Sequence, residues 1–484
     1  MNRPQEAAIF LWLALTFGSI FALLIPPFQS PDEPGHFFRA YQISEGVFLP
    51  EKKEQRLGGT LPASLAQVRD SFSFLKMNYN TRLDNGLIFR CLKLPLHPEQ
   101  RLFTDFPNTA VYAPTAYLPQ AAAIALLRPL GATPLQMLYV ARLANLLVWA
   151  LLVFTAIRLM PFLKKTMAAL ALLPASLVIA ASANADVTTN GLCWWLVAGF
   201  CANLPGLKNL ASLAVGFAVV CANKLIALPL VLAWWFRPFD PTPGPSPDGR
   251  GVRDFVAAHS TSPLPSGEGP GVGLRKLHLL PFAILSILGL AAALFWGSLA
   301  QKWFIPYDAY NPVFRDAQTL NEGVDPARQQ VFMLENPLYF TKIALQSIAK
   351  ALPSTAAHFV GKFGWEKNYL SPVWLALLWV SLGLLLMTEE NPLARRKRLL
   401  AAGVVVLYVG MFTVTMYTLW CPVGAAEVTN FQGRYFVPIA PVLALALAGT
   451  WLRRFEKQVW WAVFFVLIMS NLAMIASILG RYYN

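Results

Sequence analysis

Apolar runs of membrane-spanning length recur along the chain, separated by short polar links and two long polar stretches. The first covers about Ala7 to Ile25. Others lie near 135–158, 164–182, 187–203, 209–223 and 224–236, then near 278–300, 371–388, 398–418, 434–452 and 457–479. In a bilayer each must be a helix, because its backbone polar groups can pair only within the segment. The pattern predicts an all-α polytopic membrane protein of about eleven transmembrane helices with large external loops. Two weaker apolar pieces stay outside that count. Residues 112–130, with Pro114, Pro119 and Pro129, read as an interfacial or re-entrant helix. Residues 338–352, amphipathic with Lys342 and Lys350, read as a helix on the membrane surface.

Charge orients the pattern. Arg158, Lys164, Lys165, Lys208, Arg237, the run Arg395-Arg396-Lys397-Arg398, and Arg453-Arg454 all fall on one side of it. Retention of positive links makes that side cytoplasmic. The N-terminus is then inside, the C-terminus outside, and both long polar stretches are external. Three parts follow: an N-terminal membrane module, 1–237, with a first external loop, 26–134; a linker, 238–276; and a C-terminal module, 277–484, with a second external loop, 301–370. The linker is dense in Pro, Gly and Ser, and 245–252 nearly repeats as 265–272. It has too little apolar surface to order itself, so it reads as disordered.

Composition agrees. The chain has 484 residues, 56% hydrophobic and 13% charged, and a mean hydropathy of +0.49. A net charge of +14 suits nucleic acid in a soluble protein. Here the cations sit in membrane links, so no nucleic-acid partner is expected. Cys193, Cys201 and Cys221 lie in apolar runs; Cys91 and Cys421 fall in external loops, where topology permits a disulfide that no spacing supports. Leu24-Ile25-Pro26-Pro27 lacks the small residues of a cleavage site, so the first run is read as a retained helix.

The densest candidate chemistry follows the first span, in Ser30-Pro31-Asp32-Glu33-Pro34-Gly35-His36-Phe37-Phe38-Arg39. Ser30 and Glu33 have capping-box spacing, with Pro31 at the first helical position. On spacing alone capping is the stronger reading, but it leaves Asp32 free. A helix here puts Asp32, His36 and Arg39 on neighbouring faces, suited to a general base, a metal site or an ion pair. Asp186 interrupts two apolar runs, either as a functional acid or as a helix cap. Lys224 and Arg434 are cations on the predicted external side. Each is a snorkelling helix-end residue or a ligand for a lipid phosphate. Trp303, Tyr307, Tyr310 and Trp365 are aromatic residues of the external loops, suited to sugar stacking or to interfacial anchoring.

The stretch Pro31 to Gln42 with Ser44-Glu45-Gly46, together with Ala181 to Asp186 and Gln432 to Pro438, resembles the landmarks of the bacterial membrane proteins grouped as domain of unknown function 2142. That family is similar in layout to GT-C glycosyltransferases, which carry an acid in the first external loop and use lipid-linked sugar donors. Tyr112 to Tyr117 and Arg142 look like the part after the first loop in aminoarabinose and mannosyl transferases of that class. The resemblance implies Asp32 or Glu33 as catalytic base and Asp186 as a second acid. It implies Lys224 and Arg434 on the donor phosphate, with His36, Arg39 and Tyr435 completing the substrate-binding set. The close acid pair of a metal site is absent at Asp186. A divalent cation is therefore compatible but not required, and no metal ligand is assigned. The implied partners are a polyprenyl-phosphate-linked sugar donor, a glycan or lipid acceptor, and membrane lipids. The alternatives are a transporter or flippase for a lipid-linked saccharide, and a non-catalytic envelope assembly protein.

Overall fold

The computed structural model describes residues 5–202, 206–236, 270–315, 321–365 and 368–483. The main helices are α1 Gln5–Leu24, α2 Glu33–Ser44, α3 Pro134–Leu159, α4 Lys164–Ala171, α5 Pro174–Ala180, α6 Asp186–Ala202, α7 Leu207–Asn223, α8 Pro270–Trp303, α9 Pro337–Gly361, α10 Pro372–Leu386, α11 Arg395–Leu419, α12 Ala440–Leu447 and α13 Glu456–Tyr482. Five helical stretches are long and apolar enough to cross a membrane: Gln5–Leu24, Pro134–Leu159, Leu279–Trp303, Arg395–Leu419 and Arg453–Tyr482. Leu207–Asn223, Leu225–Phe236, Pro372–Leu386 and Gly433–Leu447 are shorter apolar helices. Most of the predicted linker lies outside the described residues. Its last residues, from Pro270, are instead backbone of α8.

Proline sets several helix starts. Pro134 opens α3 behind a capping box, in which Thr133 and Gln136 satisfy each other's backbone N–H groups. Pro174 has no N–H to continue a ladder, so the run predicted as 164–182 is split into α4 and α5. Leu225–Phe236, with Pro229 inside it, winds as a 3₁₀ helix. The piece at 112–130 forms short helical turns around Leu118–Leu127, packed on α2 and α3. The stretch expected on the membrane surface belongs to the longer α9. Leu338, Leu345 and Leu352, one heptad apart, stay exposed on it.

The helices pack around one apolar core, and a second core lies beyond the end of α1. That second core fills a small domain built on a three-stranded antiparallel sheet, β1 Glu51–Lys53, β2 Arg56–Pro62 and β3 Arg101–Asp105, in the order β1-β2-β3. Gly58 is required in β2, because a Cβ there would lie 1.9 Å from the Thr104 carbonyl oxygen. The segment that follows α8 contributes to the same domain. Tyr310 donates to Asp105 at 2.6 Å and accepts from the Leu57 N–H at 3.0 Å. The C-terminal end of α13 docks here too: the Leu83 N–H donates to the Tyr482 carbonyl at 2.7 Å, and Tyr483 donates to the Leu24 carbonyl at 2.8 Å. At the opposite end of the bundle, the Glu389 carboxylate accepts from the N–H groups of Lys165 and Thr166, at the start of α4. All five cysteines are free and buried, so Cys91 and Cys421 are not joined.

Candidate functional site

Helix α3 supplies the scaffold of the site. Arg142 is fully buried with Glu33, at 2.8 Å from Nε to Oε1 and 2.6 Å from Nη2 to Oε2. Its guanidinium also donates to the carbonyls of Ala22, Ile25 and Pro26, where α1 ends. Glu33 accepts further bonds from the N–H groups of Phe28 and Ala183. One turn on, Asn145 donates to the carbonyls of Ser182 and Asn184. One helix thus clamps two loops, 26–33 and 182–186. The expected capping box is absent. Ser30 Oγ has no hydrogen-bond partner, and α2 begins at Glu33 with Asp32 as N-cap making no side-chain cap bond. The Glu33 carboxylate is taken by a buried guanidinium, a stronger partner than a cap N–H.

The clamp holds Asp32 in the left-handed region, at φ 64°, a conformation that costs a non-glycine residue energy and that Asp tolerates better than most. Asp32 Oδ2 lies 2.5 Å from Arg434 Nη2. Asp186, first residue of α6, lies 2.6 Å from Lys224 Nζ at the end of α7. Tyr435 joins the two pairs: its hydroxyl accepts from Arg434 at 3.1 Å, and Lys224 Nζ is 5.6 Å from its ring centroid. Arg434 is brought close by Gly433, whose Cβ position would be 2.2 Å from the Phe359 backbone nitrogen.

His36 sits beside the pairs, with Nδ1 2.8 Å from the Tyr117 hydroxyl and its ring edge-on to Tyr112. Burial draws its pKa down to about 4, against the pull of Asp32 and Asp186, so the imidazole is neutral at pH 7. Burial pushes the Asp32 carboxyl up, but the charge and hydrogen bond of Arg434 outweigh it and hold the group below the usual carboxylate range. Asp32 is therefore ionised. Its side chain keeps 33% exposure and borders a cavity of about 320 Å³ at the foot of the loop domain, lined also by Phe38, Arg69, Lys76, Asn108 and Trp365.

Of the residues expected to form the site, Asp32, His36, Asp186, Lys224, Arg434 and Tyr435 meet. Glu33 lies behind them, with both oxygens occupied in the clamp. Arg39 faces elsewhere, donating to Gln42 and the Phe48 carbonyl. Trp365 reaches the cavity, with Lys76 Nζ 4.5 Å from its ring centroid, whereas Tyr310 is bonded to Asp105 and Leu57 in the sheet. Tyr117 and Asn145 were not anticipated. Asn145 left a signal, since it and Arg142 are polar residues three apart inside an apolar run. Tyr117 left none. Among the described residues no group of three or more His, Cys, Asp or Glu is placed to hold a metal ion.

The fold and this buried charge cluster define a helical integral membrane protein with a polar site where the bundle meets its loop domain. Residues 15–443 match the family described as predicted membrane protein DUF2142. The chain belongs to that family. No curated protein and no solved structure matches it.

Proposed function

We propose that the protein is a membrane glycosyltransferase of GT-C type, moving a sugar from a polyprenyl-phosphate-linked donor to a glycan or lipid acceptor at the external membrane face. The topology in this reading has eleven passages, with the N-terminus cytoplasmic, in a bacterial inner membrane. The observation that carries it is the convergence of Asp32, Asp186, Lys224 and Arg434 from four distant chain segments, with Asp32 open to a cavity. The acceptor hydroxyl attacks the anomeric carbon and passes its proton to Asp32. The bond from that carbon to the phosphate oxygen breaks, and the phosphate leaves as an anion. Arg434 links the two events. While it pairs with Asp32 the carboxylate is a poor base. A donor phosphate that draws the guanidinium away restores its basicity at the moment of need. Cations aimed at developing negative charge are commonly the largest catalytic contribution, and a general base adds about 10²–10⁴-fold.

Labelled polyprenyl-phosphate sugars incubated with the purified full chain in nanodiscs test the reading. Asp32→Asn is expected to abolish transfer while leaving membrane insertion intact; full activity in that variant removes Asp32 from the mechanism. A second reading, a flippase for a lipid-linked saccharide, draws on the helix break between α5 and α6 at Asp186, since transporters place binding sites at interrupted helices. Lipid crossing the bilayer without donor consumption supports it instead.

A further inference from the structure

Arg434 also lines a cleft of about 40 Å³, separate from the Asp32 cavity, between α5, the C-terminal end of α9 and Gly433. One wall is apolar, formed by Ala175, Val178 and Ile179 of α5. The other carries Ser30, His358, Lys362 and Arg434. Ser30 Oγ, His358 Nδ1 and Arg434 Nε are buried without hydrogen-bond partners, and Ser30 is only 4% exposed. Leaving a buried polar atom unpaired is destabilising. Three such atoms around one cleft, beside two cationic side chains, are what a site for an oxyanion looks like when its ligand is absent.

We propose that this cleft is a phosphate subsite, in which Ser30, His358, Lys362 and Arg434 hold the oxygens of a phosphate ester. Lys224 does not line it and remains with Asp186. Only the identity of that ester, a polyprenyl donor, rests on the transferase reading; the binding itself does not. The apolar face of α5 beside the cations suits a lipid tail leaving a charged head. Occupation by phosphate gives Arg434 a second anion to pair with besides Asp32.

The test uses the full chain in nanodiscs and measures binding of polyprenyl monophosphate, the matching polyprenol and inorganic phosphate. Polyprenyl phosphate is expected to bind roughly ten- to a hundredfold more tightly than the alcohol, as charge-assisted hydrogen bonds allow. Lys362→Met and Ser30→Ala are expected to weaken the phosphate lipid and not the alcohol, and Lys362→Arg to retain binding and so exclude misfolding. Equal binding of phosphate and alcohol, or variants indistinguishable from the parent, overturns the subsite. Inorganic phosphate binding as tightly as the lipid, and lost in Lys362→Met, upholds the subsite but assigns it to a soluble ester. Lys362-dependent lipid binding without transfer from any donor upholds the subsite and removes the transferase.

Discussion

Removing the Arg142 guanidinium is expected to cost more stability than any single change at the charged site it supports. In Arg142→Met the Glu33 carboxylate, 0% exposed, loses a bidentate cation and keeps only the Phe28 and Ala183 N–H groups. Leaving one member of a buried pair uncompensated costs about 3–5 kcal/mol. Arg142 also holds the carbonyls of Ala22 and Ile25, at 2.8 and 2.7 Å, so its charge stands at the negative end of the α1 dipole, worth about 0.3–2 kcal/mol. The total is on the order of 5 kcal/mol. Glu33→Gln keeps one acceptor for the neighbouring N–H groups and is expected to cost less. The double variant is expected to recover about 1–3 kcal/mol relative to the sum of the singles. Reversible unfolding in mixed detergent and SDS micelles, run as a double-mutant cycle, reads these values. Arg142→Met within about 1 kcal/mol of the parent, or a cycle additive to within about 0.5 kcal/mol, would refute the clamp.

Because His36 titrates near 4 in the fold and near 6.5 when unfolded, its neutral form contributes fully above pH 6.5. Stability is lost as pH falls from 6.5 to 4, by up to about 3 kcal/mol, and His36→Gln should flatten that slope in a pH-resolved unfolding series. Gly433→Ala forces a methyl group against the α9 backbone; it is expected to displace Arg434 and cut turnover at least tenfold while the protein still inserts, as membrane fractionation beside an activity assay would show. Lys224→Met strands Asp186 in a 5%-exposed pocket, so it should lower stability by about 3–5 kcal/mol, and Asp186→Asn in the same chain should restore part of that loss in the same unfolding assay.

The helices were legible because a bilayer leaves a long apolar run no other structure. The charged residues were legible for the same reason, standing out against an apolar background. Their pairing was not. Nothing in the spacing says that Asp32 meets Arg434 while its neighbour Glu33 meets Arg142, since the choice depends on which way the chain turns at a left-handed Asp32. The sheet was hidden for a local reason: the β1–β2 turn takes positive φ at Glu54 and Gln55, where Gly or Asn would have announced a hairpin. His358 and Lys362 escaped notice because polar residues in a polar stretch carry no contrast. Pro174 was visible, but its apolar surroundings masked the helix break it makes.

The loop domain draws its parts from residues far apart in order of synthesis. Arg481 donates to the carbonyls of Leu75, Asn78 and Thr81, and Tyr310 closes on the sheet between them. During translation the early strands must therefore wait, outside the bilayer and unfinished, until the final helix has been threaded. A chain stalled before that helix would expose an incomplete cap, which a cell's quality-control proteases could recognise as a defect in a protein whose other helices are already in place.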